Sequence, residues 1–151
     1  MATKSAGPKT AIKDVWPGQS VELLKELHVL TREGGLNADA RRKLKQVLHL
    51  YQLIKPALDE TWAREAEPVL ADMGAGKSYL GFILYDLFVG PQKRGRVVAV
   101  ESRSDLVASS QALSRRFGFE RMDFVDGAIG EAALPATPHI VTALHACDTA
   151  T

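Results

Sequence analysis

The chain has 151 residues, a length that can bury one substantial hydrophobic core. Hydrophobic residues make up 46% and charged residues 25% of it, and its formal net charge of +1 gives no overall signature of nucleic-acid or membrane binding. A single cysteine, Cys147, excludes an internal disulfide and a cysteine-rich zinc site. Because no apolar run approaches the roughly 20 residues that span a bilayer, we expect a cytoplasmic protein without a membrane partner.

The first part of the chain predicts a tail and two helices. Residues 1–18 are rich in Lys, Gly, Pro and Ser and have no apolar period, which is typical of a disordered tail. Ser20 can cap a helix over residues 21–30, whose leucines fall on one face. Asn37 can cap a longer helix, which we expect Pro56 to end or kink.

The first turns of this second helix carry a basic cluster of four side chains, Arg41, Arg42, Lys43 and Lys45. A solvated helix face is the simpler interpretation, and a patch for RNA phosphates is the alternative. No aromatic residue interrupts the cluster to stack on bases, so the RNA interpretation remains a hypothesis.

After Pro68 the pattern changes to strands that alternate with helices. The apolar segments VLADM, RVVAVES, MDFVDG and HIVTAL predict four strands, and the second of them lacks the polar alternation of a half-exposed strand. An apolar helix is predicted over residues 78–89, where Gly90 and Pro91 should stop it, and Ser104 can cap another. Residues 129–133 form at most a short helix. This order predicts an α/β fold with a mostly parallel sheet.

The turn GAGKS, between the first strand and its helix, is compatible with two ligands. A nucleotide phosphate loop, GxxxxGK[ST], would require glycine where the chain has Ala71. Asp72 would also bring a negative charge into a loop that holds phosphates. A phosphate-loop protein that uses Lys77 therefore stays the alternative, and a non-catalytic interaction domain is a further one.

The second ligand is S-adenosylmethionine, which has no phosphates. The pattern D-x-G-x-G allows close backbone approach to its amino-acid part, and Asp72 can orient the turn or the ammonium group. Glu101 ends the second strand, where a carboxylate can accept hydrogen bonds from both ribose hydroxyls. The combination favours a methyl-donor site over a phosphate loop.

Together, DMGAGKSYLGF, VVAVES and ALHACDTAT resemble motifs of the class I S-adenosylmethionine-dependent methyltransferases, over about residues 44–151. Within that class the chain is similar to bacterial methyltransferase-domain proteins with GAGKGYL-type and LHACDTATD-type motifs, and distantly to tRNA 2′-O-methyltransferases. The resemblance implies a Rossmann-like fold, S-adenosylmethionine as co-substrate without a metal, and RNA (tRNA or rRNA) as a candidate methyl acceptor.

The resemblance also implies which residues bind the donor. Its methionine part would lie against Asp72, Gly74, Ala75 and Gly76, and its ribose against Glu101, with Ser102 beside the adenine. The loop after the third strand would contact the adenine edge through Asp126, Gly127 and Ala128, and Leu144 would line the methyl end.

The fourth motif contains the candidates for catalysis. His145 has an imidazole that could accept a proton from a methyl acceptor, although a structural or donor-contacting role is the simpler interpretation. Asp148 is a second candidate, with helix capping as its alternative role, and Cys147 is most simply a small packing residue.

We predict three parts: a tail over residues 1–18, an N-terminal helical segment over 19–63 and an incomplete S-adenosylmethionine-binding domain over 64–151. The resemblance implies a seven-stranded sheet in the order 3-2-1-4-5-7-6, of which this chain supplies strands one to four. We therefore expect a fragment of a longer protein, truncated after strand four, that binds the donor weakly and does not turn over.

Overall fold

The computed structural model describes residues 19–33, 37–128, 130 and 133–144. The chain forms two compact units, which divide between Leu50 and Tyr51. Within the described ranges, no helix has both the length and the apolarity that crossing a membrane requires.

The first helix, α1, covers Val21–Glu26 and ends earlier than predicted. Ser20 caps it, since its hydroxyl accepts a hydrogen bond from a first-turn N–H at 3.2 Å. His28 then takes a left-handed conformation with φ 58°, and the Val29 N–H returns to the Leu24 carbonyl at 2.9 Å. This is the Schellman termination, and it ends the helix although the apolar residues continue to residue 30.

The second helix, α2, covers Ala38–Arg64 and begins at the predicted cap, where Asn37 accepts the Ala40 N–H at 2.8 Å. Pro56 lies inside this helix and does not end it. A proline at such a position costs about 3 kcal/mol, so other contacts must compensate. In the last turn, Trp62 is buried and its carbonyl accepts a hydrogen bond from the Arg94 guanidinium. Such tertiary contacts outweigh the local signal of the proline.

Four parallel strands form the sheet, with the order β3-β2-β1-β4. Their bounds are Val69–Met73 for β1, Arg96–Glu101 for β2, Met122–Asp126 for β3 and Ile140–Thr142 for β4. The predicted strands and their parallel arrangement are confirmed. The order agrees with the first four strands of the implied class I sheet, and it puts β4 at one edge.

The helix after β1 is buried as predicted, but it continues further. α3 covers Tyr79–Leu84 and passes through a π-helical turn, Tyr85–Val89, into the short α4, Gly90–Gln92. The prediction that Gly90 and Pro91 stop the helix is wrong. The wide turn pairs the Gly90 N–H with the Tyr85 carbonyl five residues back, and Pro91 is accommodated directly after this local widening of the helix.

The last described helix, α5, covers Ser104–Arg116, and its N-cap is Arg103 and not the predicted Ser104. The shift by one residue is within the usual uncertainty of helix ends. The side chains of α5 that are buried are Val107, Ser110 and Ser114. The predicted short helix over residues 129–133 lies largely outside the described residues.

The core of the second unit lies around β2, whose residues Val97–Val100 are all at most 1% exposed. On one face Val98 and Val100 pack with Val69 of β1. Phe82 of α3 contributes aromatic contacts with Phe119 and Phe124, at ring-centroid distances of 6.0 and 6.1 Å. Burial of both faces explains why β2 reads as a continuous apolar run.

Candidate functional site

The candidate site lies at the carboxyl edge of the sheet, where β1, β2 and β3 end side by side. The turn after β1 remains joined to β2, because the Ala75 N–H donates to the Val100 carbonyl at 2.9 Å. Gly74, Gly76 and Ser78 all have left-handed φ angles, of 65°, 59° and 62°. This succession folds the turn back toward the end of β2, which explains the need for glycine there.

Glu101 is the centre of this edge, and its side chain is only 4% exposed. The Gly76 N–H donates to its Oε1 at 3.0 Å. Arg103 donates twice to Oε2, through its backbone N–H at 3.0 Å and its Nε at 2.9 Å. The Glu101 carbonyl accepts the Gly127 N–H at 3.0 Å, so the segments after β1, β2 and β3 all bond to this residue.

These hydrogen bonds keep the Glu101 carboxyl ionised. Burial by itself would raise its pKa, but the Arg103 guanidinium and the backbone N–H groups of Arg103 and Gly76 hold the pKa below its ordinary value. The buried group is therefore a charged acceptor at neutral pH, which suits ligand hydroxyls that donate hydrogen bonds.

Asp72, the other predicted acidic residue, is 3% exposed and has a different set of partners. Its Oδ1 accepts a hydrogen bond from the Thr142 hydroxyl at 2.7 Å, and the two residues are paired in register between β1 and β4. Asp72 thus links the first strand to the fourth. Thr142 escaped the sequence analysis, since a threonine in a short apolar strand has no distinguishing signal 70 residues from its partner.

Arg103 was also missed, although a signal existed. It follows Glu101 by only two residues, so a flexible basic side chain was within reach of the carboxylate. A carboxylate that is expected to accept ligand hydroxyls also attracts basic side chains of its own chain, and Arg103 is such a side chain.

The remaining predicted donor-binding residues lie at or near the same edge. Ser102 and Ala128 are exposed, as is Asp126, which pairs in register with Glu101 between β3 and β2. Leu144, just after β4, is 43% exposed. His145, Cys147 and Asp148 lie outside the described residues. Within the described ranges, no three His, Cys, Asp or Glu side chains are grouped so that they could hold a metal ion.

A protein-family model described as a methyltransferase domain matches residues 42–151. The chain belongs to this methyltransferase domain family. The match includes every strand of the sheet and the whole edge around Glu101. No curated protein sequence matches the chain.

Several solved structures resemble this chain, and two of the three described next are methyltransferases by name. A coclaurine N-methyltransferase bound to N-methylheliamine and SAH aligns with a TM-score of 0.52 and 15% identity, over 72% of this chain and 28% of that one. The YcgJ protein from Bacillus subtilis aligns with a TM-score of 0.46 and 20% identity, over 66% of this chain and 37% of that one. A protein-L-isoaspartate O-methyltransferase aligns with a TM-score of 0.46 and 21% identity, over 60% of this chain and 28% of that one.

The first of these likenesses shows the fold: the four-stranded parallel sheet with its helices is the Rossmann-like sheet of methyltransferases. This chain covers 28 to 37% of the length of these three proteins.

Proposed function

We propose that this methyltransferase domain binds S-adenosylmethionine at the carboxyl edge of its sheet and serves methyl transfer. The observation that carries the proposal is the buried, ionised Glu101 at the end of β2, beside the left-handed turn that contains Gly76. A carboxylate there suits the two ribose hydroxyls of the donor. An α-phosphate or β-phosphate at the same turn would meet this negative charge, which disfavours the phosphate-loop alternative.

When bound, the donor supplies an activated methyl group on a sulfonium, and the protein supplies position. Glu101 would hold the ribose, while the backbone of Gly74, Ala75 and Gly76 would lie along the methionine part. Asp72, whose Oδ1 accepts the Thr142 hydroxyl, would orient the turn that follows it. His145 and Asp148 stay the predicted proton acceptors for an acceptor atom that must lose a proton.

Calorimetric titration with S-adenosylmethionine, with S-adenosylhomocysteine and with ATP and Mg²⁺ tests this proposal. We expect binding of the two adenosyl compounds, weakened tenfold or more by Glu101→Gln, which preserves shape and removes the charge. Glu120→Gln is the matched control, because Glu120 is exposed and lies before β3. Binding of ATP with a dominant effect of Lys77→Ala would instead support the phosphate-loop alternative, and binding of neither ligand would support an interaction domain.

For the methyl acceptor we propose RNA, contacted by the basic cluster of Arg41, Arg42, Lys43 and Lys45. All four side chains are exposed on the first turns of α2, a suitable arrangement for phosphates. Asp39 forms ion pairs with Arg42 at 2.5 Å and with Lys43 at 3.1 Å, so these two cations already have a partner. Arg41 and Lys45 are therefore the more useful positions to test.

Fluorescence anisotropy with a labelled tRNA transcript measures this interaction. Arg41→Gln with Lys45→Gln should weaken binding and reduce the slope of log K against log salt by about two, one for each phosphate contact. Arg64→Gln, in the last turn of the same helix, is the control. An unchanged salt slope in the double variant would contradict the RNA proposal. The proposal that the domain binds S-adenosylmethionine would not be affected by that result.

A further inference from the structure

The Arg103 side chain is hydrogen-bonded to the Glu101 carboxylate, which is the group that would bind the ribose of S-adenosylmethionine. Its backbone is fixed as the N-cap of α5, where its carbonyl accepts the Leu106 N–H at 3.1 Å. Its Nε lies 2.9 Å from Oε2 of Glu101, and its Nη2 lies 3.6 Å from the point where a Cβ on Gly76 would be. The guanidinium thus bridges the end of β2 and the turn after β1.

The Glu101 carboxylate can accept a limited number of hydrogen bonds, so the Arg103 side chain affects how many a ligand can donate. A carboxylate offers about four lone-pair directions, two on each oxygen. Three donors already use them: the Gly76 N–H on Oε1, and the backbone N–H and Nε of Arg103 on Oε2. One direction remains, on Oε1, whereas the two hydroxyls of a ribose require two. One of the present donors must therefore leave when a ribose binds.

Among the three donors, the Arg103 side chain is the one able to leave. The Gly76 N–H is held by the turn, and the Arg103 N–H is held by the cap of α5. The Arg103 side chain is 58% exposed, and its flexible stem can rotate into solvent without disturbing the backbone. When the exposed guanidinium swings out it is rehydrated, and a ribose hydroxyl replaces it on the buried Glu101, so we expect its displacement to cost about tenfold or less in affinity.

We propose that the Arg103 guanidinium is a latch, which occupies a ribose-hydroxyl position on Glu101 and must swing out before an adenosyl ligand can bind. This inference rests on the proposed function, since it concerns the same site. Arg103 lowers the affinity for every ligand that uses both hydroxyls, and it leaves ligands that lack the 2′-hydroxyl nearly unaffected. It therefore reduces the advantage of ribonucleosides over deoxyribonucleosides at this site.

The test is calorimetric titration of the 151-residue chain with S-adenosylhomocysteine and with its 2′-deoxy analogue. Arg103→Met keeps the apolar stem and removes the guanidinium, and we expect it to bind S-adenosylhomocysteine about three- to tenfold more tightly than the wild type. The affinity for the 2′-deoxy analogue should change by less than about twofold. Arg115→Met, at the other end of α5, should resemble the wild type with both ligands.

Salt provides a second readout, because the guanidinium end of this ion pair is exposed and salt weakens its attraction to Glu101. Raising the salt concentration from about 50 to about 300 mM should tighten S-adenosylhomocysteine binding to the wild type and leave the affinity of Arg103→Met nearly constant. Without ligand, NMR titration should show a higher pKa for the Glu101 carboxyl in Arg103→Met than in the wild type.

Equal or weaker binding of S-adenosylhomocysteine by Arg103→Met would overturn the latch and leave the proposed function intact. Binding by Arg103→Met alone would support both. Absence of binding in both proteins would overturn the proposed function and the latch together. An unchanged Glu101 pKa in Arg103→Met would by itself contradict the latch proposal, whatever the calorimetric titrations show.

Discussion

β1 and β2 each carry a buried carboxylate near the carboxyl end, but the two carboxylates have different hydrogen-bond partners. Asp72 and Glu101 are both buried carboxylates on neighbouring parallel strands. Asp72 accepts a hydrogen bond from Thr142 on the adjacent edge strand, and this bond links β1 to β4. Glu101 accepts its hydrogen bonds from a turn, a helix cap and an exposed arginine. A buried acid is thus committed to structure by fixed partners, and it becomes available to a ligand when one of its partners can move.

The largest expected effect is on stability and comes from Asp72→Ala. The change removes a buried hydrogen-bond acceptor and leaves the Thr142 hydroxyl without its charged partner, which should lower the free energy of unfolding by about 2–3 kcal/mol. Urea denaturation followed by circular dichroism measures this loss. Glu101→Gln should lose less, because its amide oxygen can still accept both hydrogen bonds from Arg103, and only the Gly76 N–H loses its acceptor. If the losses were reversed, the contrast between the two strand ends would fail.

Thr142→Val tests the other partner of the same bond. Valine has the shape of threonine without the hydroxyl, so the Asp72 carboxylate loses one donor, and we expect a loss of about 1–2 kcal/mol in the free energy of unfolding. Thr142→Ser keeps the hydroxyl and is the control, with a smaller loss. Equal losses in the valine and serine variants would show that packing, and not the hydrogen bond to Asp72, connects β4 to β1.

The turn between the two strand ends allows a prediction of opposite sign. Ser78 is buried, and its φ of 62° is unfavourable for a residue with a Cβ. Ser78→Gly should therefore raise the free energy of unfolding by up to about 1 kcal/mol in thermal or urea denaturation. Gly76→Ala, at φ 59°, should lower it by a similar amount. A destabilised Ser78→Gly would mean that contacts of the serine side chain outweigh the backbone strain.

The smallest expected effect concerns pH and isolates Glu101. Its pKa in the folded protein is lower than its ordinary value of 4.5, so its ionisation contributes stability above about pH 4.5. This contribution is lost as the pH falls through the folded-state pKa. The stability difference between the wild type and Glu101→Gln should therefore shrink when urea denaturation is repeated from pH 7 down to pH 3. A difference independent of pH would indicate that the carboxyl is not held ionised by its neighbours.

Much of the fold was readable in the sequence because its signals are local. Ser20 and Asn37 cap helices through side chains that reach only three residues along the chain. β1 and β2 were predicted at the correct places because a strand buried on both faces is a short and mostly apolar run. The glycines of GAGKS likewise marked the turn after β1, where the structure gives Gly74 and Gly76 left-handed φ angles.

The helix ends were predicted less well, because there tertiary packing competes with local propensity. Pro56 remains inside α2, because buried residues that follow it, such as Trp62, keep the last turns of the helix packed. Pro91 remains in the helical segment because a π-helical turn precedes it. Neither outcome follows from the proline itself, whose local effect is to interrupt a helix.

For the candidate site, the sequence by itself determined that an acid ends β2 beside a glycine turn, because strand order and chain direction bring those positions to one edge. The tertiary structure decided what the acids do. It paired Asp72 with Thr142 across 70 residues, and it turned the Arg103 side chain back onto Glu101. The physical reason is that a buried carboxylate requires donors, and which donors reach it depends on the packed geometry of neighbouring segments.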